Sequence, residues 1–300
     1  MEKEKKPPKV GAIIVTYKPD LEVFRNCIES LIHQCRKLYV VDNTPNSYLK
    51  PKIFNNHENL EIIYLGTNRG IACAQNVGIK KALEEKIDYI LISDQDTVYP
   101  SDFVEKMMEC FKEKNVAAAG PLFVNMHTGK LEGFVIRSKF GFKKIYPAFG
   151  KHEVFHLISS GTIINATCLN DVGLMMEKLF IDWIDMEWCW RAIKKGYKIV
   201  GNADVTVQHR LGDSAAKVMW RFVYQRSPTR SYYITRNAVF LSFRNDNLDL
   251  QFRCSIFLRS FRYLFGFPLF VKPRLENLKY TLKGFYHGVI GKMGKLDETP

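Results

Sequence analysis

Two aspartates separated by one glutamine follow an apolar stretch of strand length. Residues 90–93 read Ile-Leu-Ile-Ser, and the chain continues as Asp94-Gln95-Asp96. Alternate side chains of a strand point to opposite faces, so Asp94 and Asp96 share a face if the strand continues to its end. Two carboxylates so placed can bind a hard divalent cation such as Mg²⁺ or Mn²⁺. An isolated Asp-x-Asp more often only ends a strand with an acidic turn, so the metal hypothesis needs support from elsewhere in the chain.

A second group of acids lies among tryptophans in residues 180–195, which we predict to be a helix. Asp182 and Asp185 are three residues apart and would share one face of it. The helix dipole alone accounts for an acid such as Asp182 in a first turn. Asp185 is expected to be partly desolvated by its aromatic neighbours, which would raise its pKa and favour proton acceptance near neutral pH. Glu187 precedes Arg191 by four residues and is most simply its ion-pair partner within the helix.

Two further positions are candidates for binding a ligand or a metal ion. Ser160-Gly161 interrupts two apolar stretches, and such a break lets the backbone approach a ligand. His209 follows a predicted strand over residues 197–207. A lone histidine is more often structural, but His209 could also complete a metal site with the two strand-end acids.

The elements that must position these groups alternate between strand and helix. Strands are predicted at residues 9–17, 38–41, 60–65, 89–93 and 116–120, with helices at residues 21–32, 70–85 and 101–113. Residues 131–149 are interpreted as a hairpin or a flexible loop. This alternation predicts an α/β fold with a mainly parallel central sheet flanked by helices.

Polar residues end four of the strands: Thr16-Tyr17, Asp42, Asn68-Arg69 and Asp94-Gln95-Asp96. The carboxyl ends of parallel strands meet along one sheet edge, so these groups are expected to form a nucleotide-binding edge. The chain has no Gly-x-Gly-x-x-Gly motif after its first strand and no Walker lysine loop, which argues against a nicotinamide, flavin or P-loop site.

Composition sets limits on the class of protein. Three hundred residues with 46% hydrophobic content can bury a substantial core. Seven scattered cysteines, with no Cys-x-x-Cys pair, are typical of reduced thiols in the cytoplasm. The net charge is +13, and residues 205–300 hold 16 Lys and Arg against 6 Asp and Glu. We predict a tail over residues 1–8, a catalytic domain over residues 9–212, and a basic aromatic helical extension over residues 213–300.

The extension carries two basic features. Arg230 and Arg236 are separated by paired tyrosines and are suited to binding a phosphate. Residues 252–271 are strongly aromatic, but three arginines interrupt them, which argues against a membrane-spanning helix. This segment is either a basic amphipathic helix at an anionic membrane surface or a helix packed on the protein's own core.

The order of these motifs resembles the inverting family-two glycosyltransferases of GT-A fold, from about residue 9 to residue 212. The matching motifs are Ile14-Val15-Thr16-Tyr17, Val41-Asp42-Asn43, Asn68-Arg69-Gly70 with Asn76-Val77-Gly78, Ser93-Asp94-Gln95-Asp96, and residues 183–191. The Asp-Gln-Asp form and the tryptophan-rich stretch are most similar to the bacterial branch that transfers rhamnose from dTDP-L-rhamnose in surface polysaccharide synthesis.

The resemblance implies roles for individual residues. The implied donor nucleotide-binding residues are Thr16, Tyr17, Asp42, Arg69 and Asp94, and the implied ligands of Mg²⁺ or Mn²⁺ are Asp94, Asp96 and His209. Many relatives carry Glu-Asp where this chain has Ile184-Asp185, so Asp185 is the implied general base and Asp182 the fallback. To the acceptor and its phosphates we assign Ser160, Gly161, Trp183, Arg230 and Arg236.

Three functions remain open from the sequence. The first is rhamnosyl transfer to a polyprenyl-diphosphate-linked saccharide by an enzyme bound peripherally to the cytoplasmic face of a bacterial plasma membrane. The second is the same chemistry with another donor, UDP-galactofuranose or a UDP-N-acetylhexosamine, because a few pocket contacts decide donor identity. The third is a non-catalytic basic adaptor. No nucleic-acid-binding motif is present, and an adaptor has no use for three converging acids, so nucleic acid is not expected as a partner.

Overall fold

The computed structural model describes residues 7–47, 49, 57–126, 129–139, 141–209, 214–218, 221–225 and 227–297, with backbone alone for residues 209–225 of these. The strands are β1 (Val10–Thr16), β2 (Lys37–Asp42), β3 (Leu60–Tyr64), β4 (Tyr89–Asp94), β5 (Val116–Asn125), β6 (Leu131–Glu132), β7 (Phe134–Ser138), β8 (Gly141–Ile145), β9 (Lys151–Glu153), β10 (Thr162–Asn165), β11 (Lys198–His209), β12 (Ser214–Val218) and β13 (Arg221–Gln225). The helices are α1 (Leu21–Ile32), α2 (Ile71–Glu84), α3 (Phe103–Met108), α4 (Leu169–Val172), α5 (Ile184–Lys194), α6 (Pro228–Arg244), α7 (Leu250–Phe270) and α8 (Arg274–Ile290).

The centre of the fold is a mixed sheet of spatial order β3-β2-β1-β4-β10-β5-β11-β9, with β6 paired to β5. Strands β3, β2, β1 and β4 are parallel neighbours, and β11 runs parallel to β5. Strand β10 is inserted antiparallel between β4 and β5. The predicted α/β architecture with a mainly parallel sheet is confirmed, as is a C-terminal helical part. The predicted boundary at residue 212 falls outside the described residues and stays a prediction.

Strand β1 is apolar up to its last residue, Thr16, because the sheet is covered on both faces. Ile13 and Ile14 are both fully buried, and they belong to two different hydrophobic clusters, one on each side of the sheet. Helix α1 begins where Asp20 accepts hydrogen bonds from the backbone N–H groups of Glu22 and Val23, as expected of an N-cap. The alternating pattern therefore supports a sheet with helices on either side.

Several predicted boundaries were wrong. Helix α5 begins at Ile184, not at residue 180, because Phe180, Asp182 and Trp183 all have positive φ and cannot continue a right-handed helix. Strand β5 continues to Asn125 because β11 pairs with it along that length. Residues 131–149 contain the β7–β8 hairpin, one of the two alternatives considered.

The last three helices pack against one another and against the sheet domain. Glycines permit a close approach of α6 and α8: a Cβ at Gly284 would lie 2.5 Å from the carbonyl oxygen of Tyr232, and one at Gly288 would lie 2.6 Å from that of Arg236. Helix α7 buries Phe252 completely. Within the described residues, no helix is both long enough and apolar enough to cross a membrane.

Candidate active site

The carboxyl ends of β1, β2 and β4 lie side by side. Thr16 pairs with Asp42 across β1 and β2, and Val15 pairs with Asp94 across β1 and β4. The expectation that these polar strand ends share one sheet edge is therefore confirmed. The ends of successive parallel strands supply groups from distant parts of the chain to one place, which is where open α/β sheets bind ligands.

The two carboxylate oxygens of Asp42 differ in their hydrogen bonding. Its Oδ1 accepts hydrogen bonds from the Thr16 hydroxyl at 2.9 Å and from the backbone N–H of Thr44 at 3.1 Å. Its Oδ2 is buried and has no hydrogen-bond partner in the described part of the chain. A buried carboxylate oxygen without a donor is costly, so this atom is suited to accept a hydrogen bond from a ligand.

Tyr17 and Arg69 are fixed at the same edge through their backbones. The N–H of Tyr17 donates to the side-chain oxygen of Gln95 at 2.8 Å, and the N–H of Arg69 donates to the side-chain oxygen of Asn43 at 2.7 Å. Both side chains are exposed. Their backbones are thus held while their side chains remain available to a ligand.

Asp94 and Asp96 line two neighbouring cavities. Asp94 lines a cavity of about 330 Å³ that also contains Asp182 and Asp185. Asp96 lines a second cavity of about 500 Å³ with Gln208 of β11. Burial raises the pKa of the Cys27 thiol to about 12, and the negative charges of Asp96 and Asp94 add to this shift.

Strand β4 ends at Asp94 and Asp96 lies in the turn after it, so strand alternation does not extend to Asp96, and the assignment of these two carboxylates as metal ligands stays a prediction. No group of three or more His, Cys, Asp or Glu side chains suited to a metal occurs among the residues that the structure describes. The backbone of His209 pairs with Asn125, but its side chain lies outside the described part, so its assignment as a ligand stays a prediction. Mg²⁺ is commonly held by one or two carboxylates together with substrate phosphates and water, and Asp94 with Asp96 fit that donor set.

Asp185 has the environment of a proton acceptor. Its Oδ1 accepts from the backbone N–H of Met186 and its Oδ2 from that of Ser159, both at 2.9 Å. Burial is the main cause that raises its pKa to about 6, the charge of Asp182 raises it further, and the two N–H donors oppose the shift. A carboxylate of this pKa is mostly ionised at pH 7 yet basic enough to take up a proton.

Asp182 is already paired. Its two carboxylate oxygens lie 3.3 and 3.2 Å from Nε and Nη2 of Arg230, which is on the first turn of α6. The charge of Asp182 therefore raises the pKa of its neighbour Asp185 while its own oxygens are engaged. The intrahelical ion pair predicted for Glu187 and Arg191 is confirmed, with Oε1 and Nε at 2.8 Å.

The segment before α5 is conformationally strained. Phe180, Asp182 and Trp183 have φ angles of +66°, +62° and +69°, a region that costs energy for residues with a side chain. The side-chain nitrogen of Asn237 lies 3.0, 2.8 and 3.1 Å from the carbonyl oxygens of Leu179, Ile181 and Asp182. Strain of this kind persists only where the surroundings over-determine the backbone, and α6 supplies that support.

Arg236, which we predicted to bind an acceptor phosphate, lies outside the cavity that contains Asp185. Its side chain is fully buried, and its guanidinium donates to the carbonyl oxygens of Leu179 and Gly294. It is not among the residues that line the cavity with Asp185. Its contacts favour a structural role, because a buried arginine is stable only when its donors are satisfied.

Of the other predicted acceptor residues, Ser160, Trp183 and Arg230 line the cavity and Gly161 does not. The Ser160 hydroxyl lies 2.7 Å from that of Thr97. Gly161 has a φ of +78°, and a Cβ there would lie 3.1 Å from the ring of Pro121. Glycine is needed at this position for the turn and its close packing.

The sequence analysis missed several residues of the cavity, among them Arg259 and Tyr263 of α7. The arginine was considered only as an interruption of an aromatic stretch. A signal was present, because Phe252, Ile256, Arg259 and Tyr263 recur at the spacing of one helix face. That face is directed into the protein, since Phe252 and Ile256 are buried.

Comparison with known proteins identifies the family. The family model described as glycosyl transferase family 2 matches residues 12–173, which include Asp42, Asp94 and Asp96. The chain belongs to glycosyltransferase family 2. It is therefore a glycosyltransferase, as the motif series indicated.

Relatives match this family 2 glycosyltransferase over nearly its whole length. It is 35% identical to the dTDP-rhamnosyl transferase RfbF of Shigella flexneri over 288 residues, which cover 95% of this chain and 97% of the relative. It is 23% identical to the low-salt glycan biosynthesis hexosyltransferase Agl10 of Haloferax volcanii over 95% of this chain and 92% of that protein. Both alignments cover 95% of this chain, whereas the family model ends at residue 173.

Solved structures show the same GT-A fold. S. aureus TarS 1-349 in complex with UDP-GlcNAc has a TM-score of 0.58 at 19% identity, covering 94% of this chain and 81% of that one. GalNAc-T7 with UDP, GalNAc and Mn²⁺ has a TM-score of 0.59 at 13% identity and covers 87% of this chain. The chain spans only 57% of the GalNAc-T7 structure. At these identities the likeness concerns the fold alone.

Proposed function

We propose that this enzyme transfers L-rhamnose from dTDP-L-rhamnose to a saccharide acceptor, with inversion at the anomeric carbon. The main support is the 35% identity to a dTDP-rhamnosyl transferase along almost the full length of both chains. The site is consistent with this proposal, because Asp94 at the end of β4 and the basic carboxylate of Asp185 line the same cavity. We propose that the acceptor is a lipid-linked saccharide used in cell-surface polysaccharide synthesis.

In the proposed reaction, Asp185 acts as the general base. Its carboxylate takes the proton of the acceptor hydroxyl as that oxygen attacks the anomeric carbon. The bond from that carbon to the phosphate oxygen breaks, and dTDP leaves with the bonding electrons. One displacement inverts the anomeric centre, so no covalent nucleophile on the enzyme is required.

The donor nucleotide is proposed to bind at the ends of β1, β2 and β4. Asp42 Oδ2 would accept a hydrogen bond from the base or ribose, and the exposed side chains of Tyr17 and Arg69 lie at the same edge. Asp94 and Asp96 would hold Mg²⁺ or Mn²⁺ against the diphosphate. A divalent cation there would offset the charge that develops on the departing diphosphate.

The second candidate is the same reaction with another donor. TarS in complex with UDP-GlcNAc has the same fold as this chain. Fold alone does not discriminate between donors, because a few contacts in the pocket decide which sugar and base are accepted. A UDP-N-acetylhexosamine or UDP-galactofuranose therefore remains the alternative to dTDP-rhamnose.

The test is release of nucleoside diphosphate from a panel of dTDP-rhamnose, UDP-galactofuranose, UDP-N-acetylglucosamine and UDP-glucose, with Mg²⁺, with Mn²⁺ and with EDTA. Asp96→Ala and Asp185→Asn are measured beside the unchanged protein. We expect metal-dependent turnover of dTDP-rhamnose that both substitutions abolish. Turnover of a UDP-sugar instead would overturn the rhamnosyl assignment, and binding of dTDP measured by calorimetry would distinguish an enzyme without its acceptor from an inactive protein.

We also propose that α7 and α8 bind an anionic membrane surface. Apolar side chains recur on one exposed face of α8, with Leu275, Leu282 and Tyr286 exposed to 82%, 51% and 60%. Helix α7 exposes Leu258, Phe265 and Leu269, and its Phe261 ring lies 5.8 Å from that of Phe285 on α8, so the two exposed faces adjoin. Exposed apolar side chains that adjoin on two packed helices are more typical of an interaction surface than of a face in contact with water only.

Charge supports the membrane as the occupant of this face. Residues 250–290 contain seven Lys and Arg residues and one acid, Glu276. Each basic residue near an anionic lipid surface contributes about 1 kcal/mol of attraction. This arrangement would bring the enzyme to the cytoplasmic face of a plasma membrane, where a lipid-linked acceptor is available.

Cosedimentation with phosphatidylglycerol and phosphatidylcholine vesicles at physiological salt tests the membrane proposal. We expect binding to the anionic vesicles and its loss in the double variant Leu275→Glu with Leu282→Glu. Phe149→Glu is the matched control, because Phe149 is 77% exposed and lies outside these helices. Equal binding by the double variant would rule the proposal out.

A further inference from the structure

Helix α7 contributes a cation to the cavity of the general base. Arg259 and Tyr263 are one turn apart and line the same cavity as Asp94, Asp182 and Asp185. The Tyr263 ring meets Trp183, with ring centroids 6.5 Å apart in an edge-on arrangement. The C-terminal helices thus form one wall of the catalytic cavity.

The Arg259 guanidinium has no acidic partner among the residues that the structure describes. Its carbon Cζ lies 4.5 Å from the ring centroid of Phe142, and the described residues offer it no hydrogen bond or ion pair. Arg230, in the same cavity, instead pairs with Asp182. A half-buried guanidinium has lost part of its hydration, so it gains free energy from a counterion.

The charged groups near Arg259 leave it without an ion pair. Burial lowers its pKa, the nearby charge of Arg262 lowers it further, and Tyr263 has an opposing effect. Burial and the charges of Arg259 and Lys144 likewise lower the pKa of His156 to about 3, so this histidine is neutral and adds no charge at pH 7. The cavity also contains acids, of which Asp182 pairs with Arg230, and Arg259 is in no ion pair among the described residues.

We propose that Arg259 binds a phosphoryl group of the acceptor. The inference rests on the proposed function, because it takes the cavity of Asp185 as the acceptor site. Arginine suits phosphate oxygens because its planar fork can donate two parallel hydrogen bonds. Helix α7 also carries the exposed apolar face described above, so one helix would contact both the lipid surface and the phosphate of a lipid-linked acceptor.

The base and the arginine lie in one cavity. Asp185 and Arg259 both line a cavity of about 330 Å³, at the lower end of small-molecule sites. One acceptor molecule would therefore present both the attacking hydroxyl and the phosphoryl group. The substrate class is a saccharide phosphate or diphosphate.

The test is a binding measurement that does not need turnover. The full chain, saturated with dTDP and Mg²⁺ so that the donor site is filled, is titrated by calorimetry with farnesyl diphosphate, inorganic pyrophosphate and farnesol. Arg259→Gln removes the charge and keeps much of the stem, Arg259→Lys keeps the charge, and Arg262→Gln makes the same charge change one turn away. We expect Arg259→Gln to weaken farnesyl diphosphate about tenfold or more, Arg259→Lys to weaken it less, and farnesol binding to stay unchanged.

The outcomes separate the sources of the phosphoryl group. Equal losses for pyrophosphate and farnesyl diphosphate would support a phosphoryl site that takes soluble acceptors, and a loss confined to farnesyl diphosphate would support a lipid-linked one. Equal binding by Arg259→Gln and the unchanged protein, or an equal loss in Arg262→Gln, would overturn the proposal. A protein that binds no dTDP would refute the proposed donor instead, and the titration without dTDP would still test Arg259.

Discussion

The side-chain nitrogen of Asn237 lies 3.1 Å from the carbonyl oxygen of Asp182, inside a segment with three positive φ angles. The same nitrogen also reaches the carbonyl oxygens of Leu179 and Ile181. A residue of the C-terminal helices thereby stabilises the backbone that carries the acids of the cavity. The helical extension therefore helps to form the cavity that contains these acids, in addition to its proposed contact with a membrane.

We predict that Asn237→Ala lowers both stability and activity. The substitution removes a hydrogen-bond donor from three carbonyl oxygens, of which that of Leu179 keeps the guanidinium of Arg236. Loss of such a hydrogen bond costs about 1–3 kcal/mol where it leaves a buried group unsatisfied. Denaturant unfolding should show a loss of that size, and kcat should fall because the 179–182 backbone loses its support. Asn26→Ala is the matched control, since Asn26 is exposed on α1 and should change neither quantity appreciably. A stable variant of unchanged kcat would contradict the supporting role.

The rate should depend on the ionisation of Asp185. Its pKa of about 6 implies that kcat/KM for the acceptor rises with pH, reaches half of its plateau near pH 6, and falls tenfold per pH unit well below that value. Asp182→Asn removes a charge that raises this pKa, so the midpoint of its profile should move to lower pH. A midpoint that stays in place, measured between pH 4.5 and 8, would show that another group controls the rate.

The same pKa shift has a consequence for stability. The folded pKa of Asp185 is about 6, above its ordinary value near 4, so the folded protein binds more protons than the unfolded chain between these values. The contribution of this group to the free energy of unfolding therefore falls as pH rises from about 4 to 6 and is constant outside that window.

Asp185→Asn should remove this pH dependence. The free energy of unfolding of the variant, relative to the unchanged protein, is expected to increase by roughly 1–3 kcal/mol between pH 4 and pH 7. The hydrogen bonds that the substitution removes add a constant offset to this difference. The change of the difference with pH therefore reports the pKa of Asp185. A constant difference across the window would argue that Asp185 has an ordinary pKa.

Gly70 should tolerate no side chain. Its φ is +87°, and a Cβ would lie 2.6 Å from the Phe180 ring and 2.7 Å from the Phe180 carbonyl oxygen. Gly70→Ala should destabilise the protein by more than the about 1–2 kcal/mol that positive φ alone costs. Gly66→Ala isolates that backbone cost, because Gly66 has a φ of +71° and nothing within 4 Å of its Cβ position. Thermal or denaturant unfolding of both variants gives the comparison, and equal losses would show that contact with Phe180 is unimportant.

Much of the polar sheet edge was predictable from the sequence. The apolar strands β1, β2 and β4 end on Thr16, Asp42 and Asp94, and parallel pairing places such ends together whatever the loops between them do. The raised pKa expected for Asp185 among aromatic residues agrees with its burial. These features depend on residue type and local period, which the sequence displays directly.

The acceptor side depended on tertiary packing. Arg236 has the sequence surroundings of a phosphate ligand, yet it is buried against the backbone of distant segments. Arg259 has the surroundings of a solvated helix residue, yet it lines the catalytic cavity. The positive φ angles before α5 were also invisible, because Asn237 and other contacts from α6 stabilise them. By itself the sequence determined the apolar strands, their polar ends and the family, because strand period and motif spacing are local. Which arginines line the cavity was decided only by how α6 and α7 pack on the sheet domain.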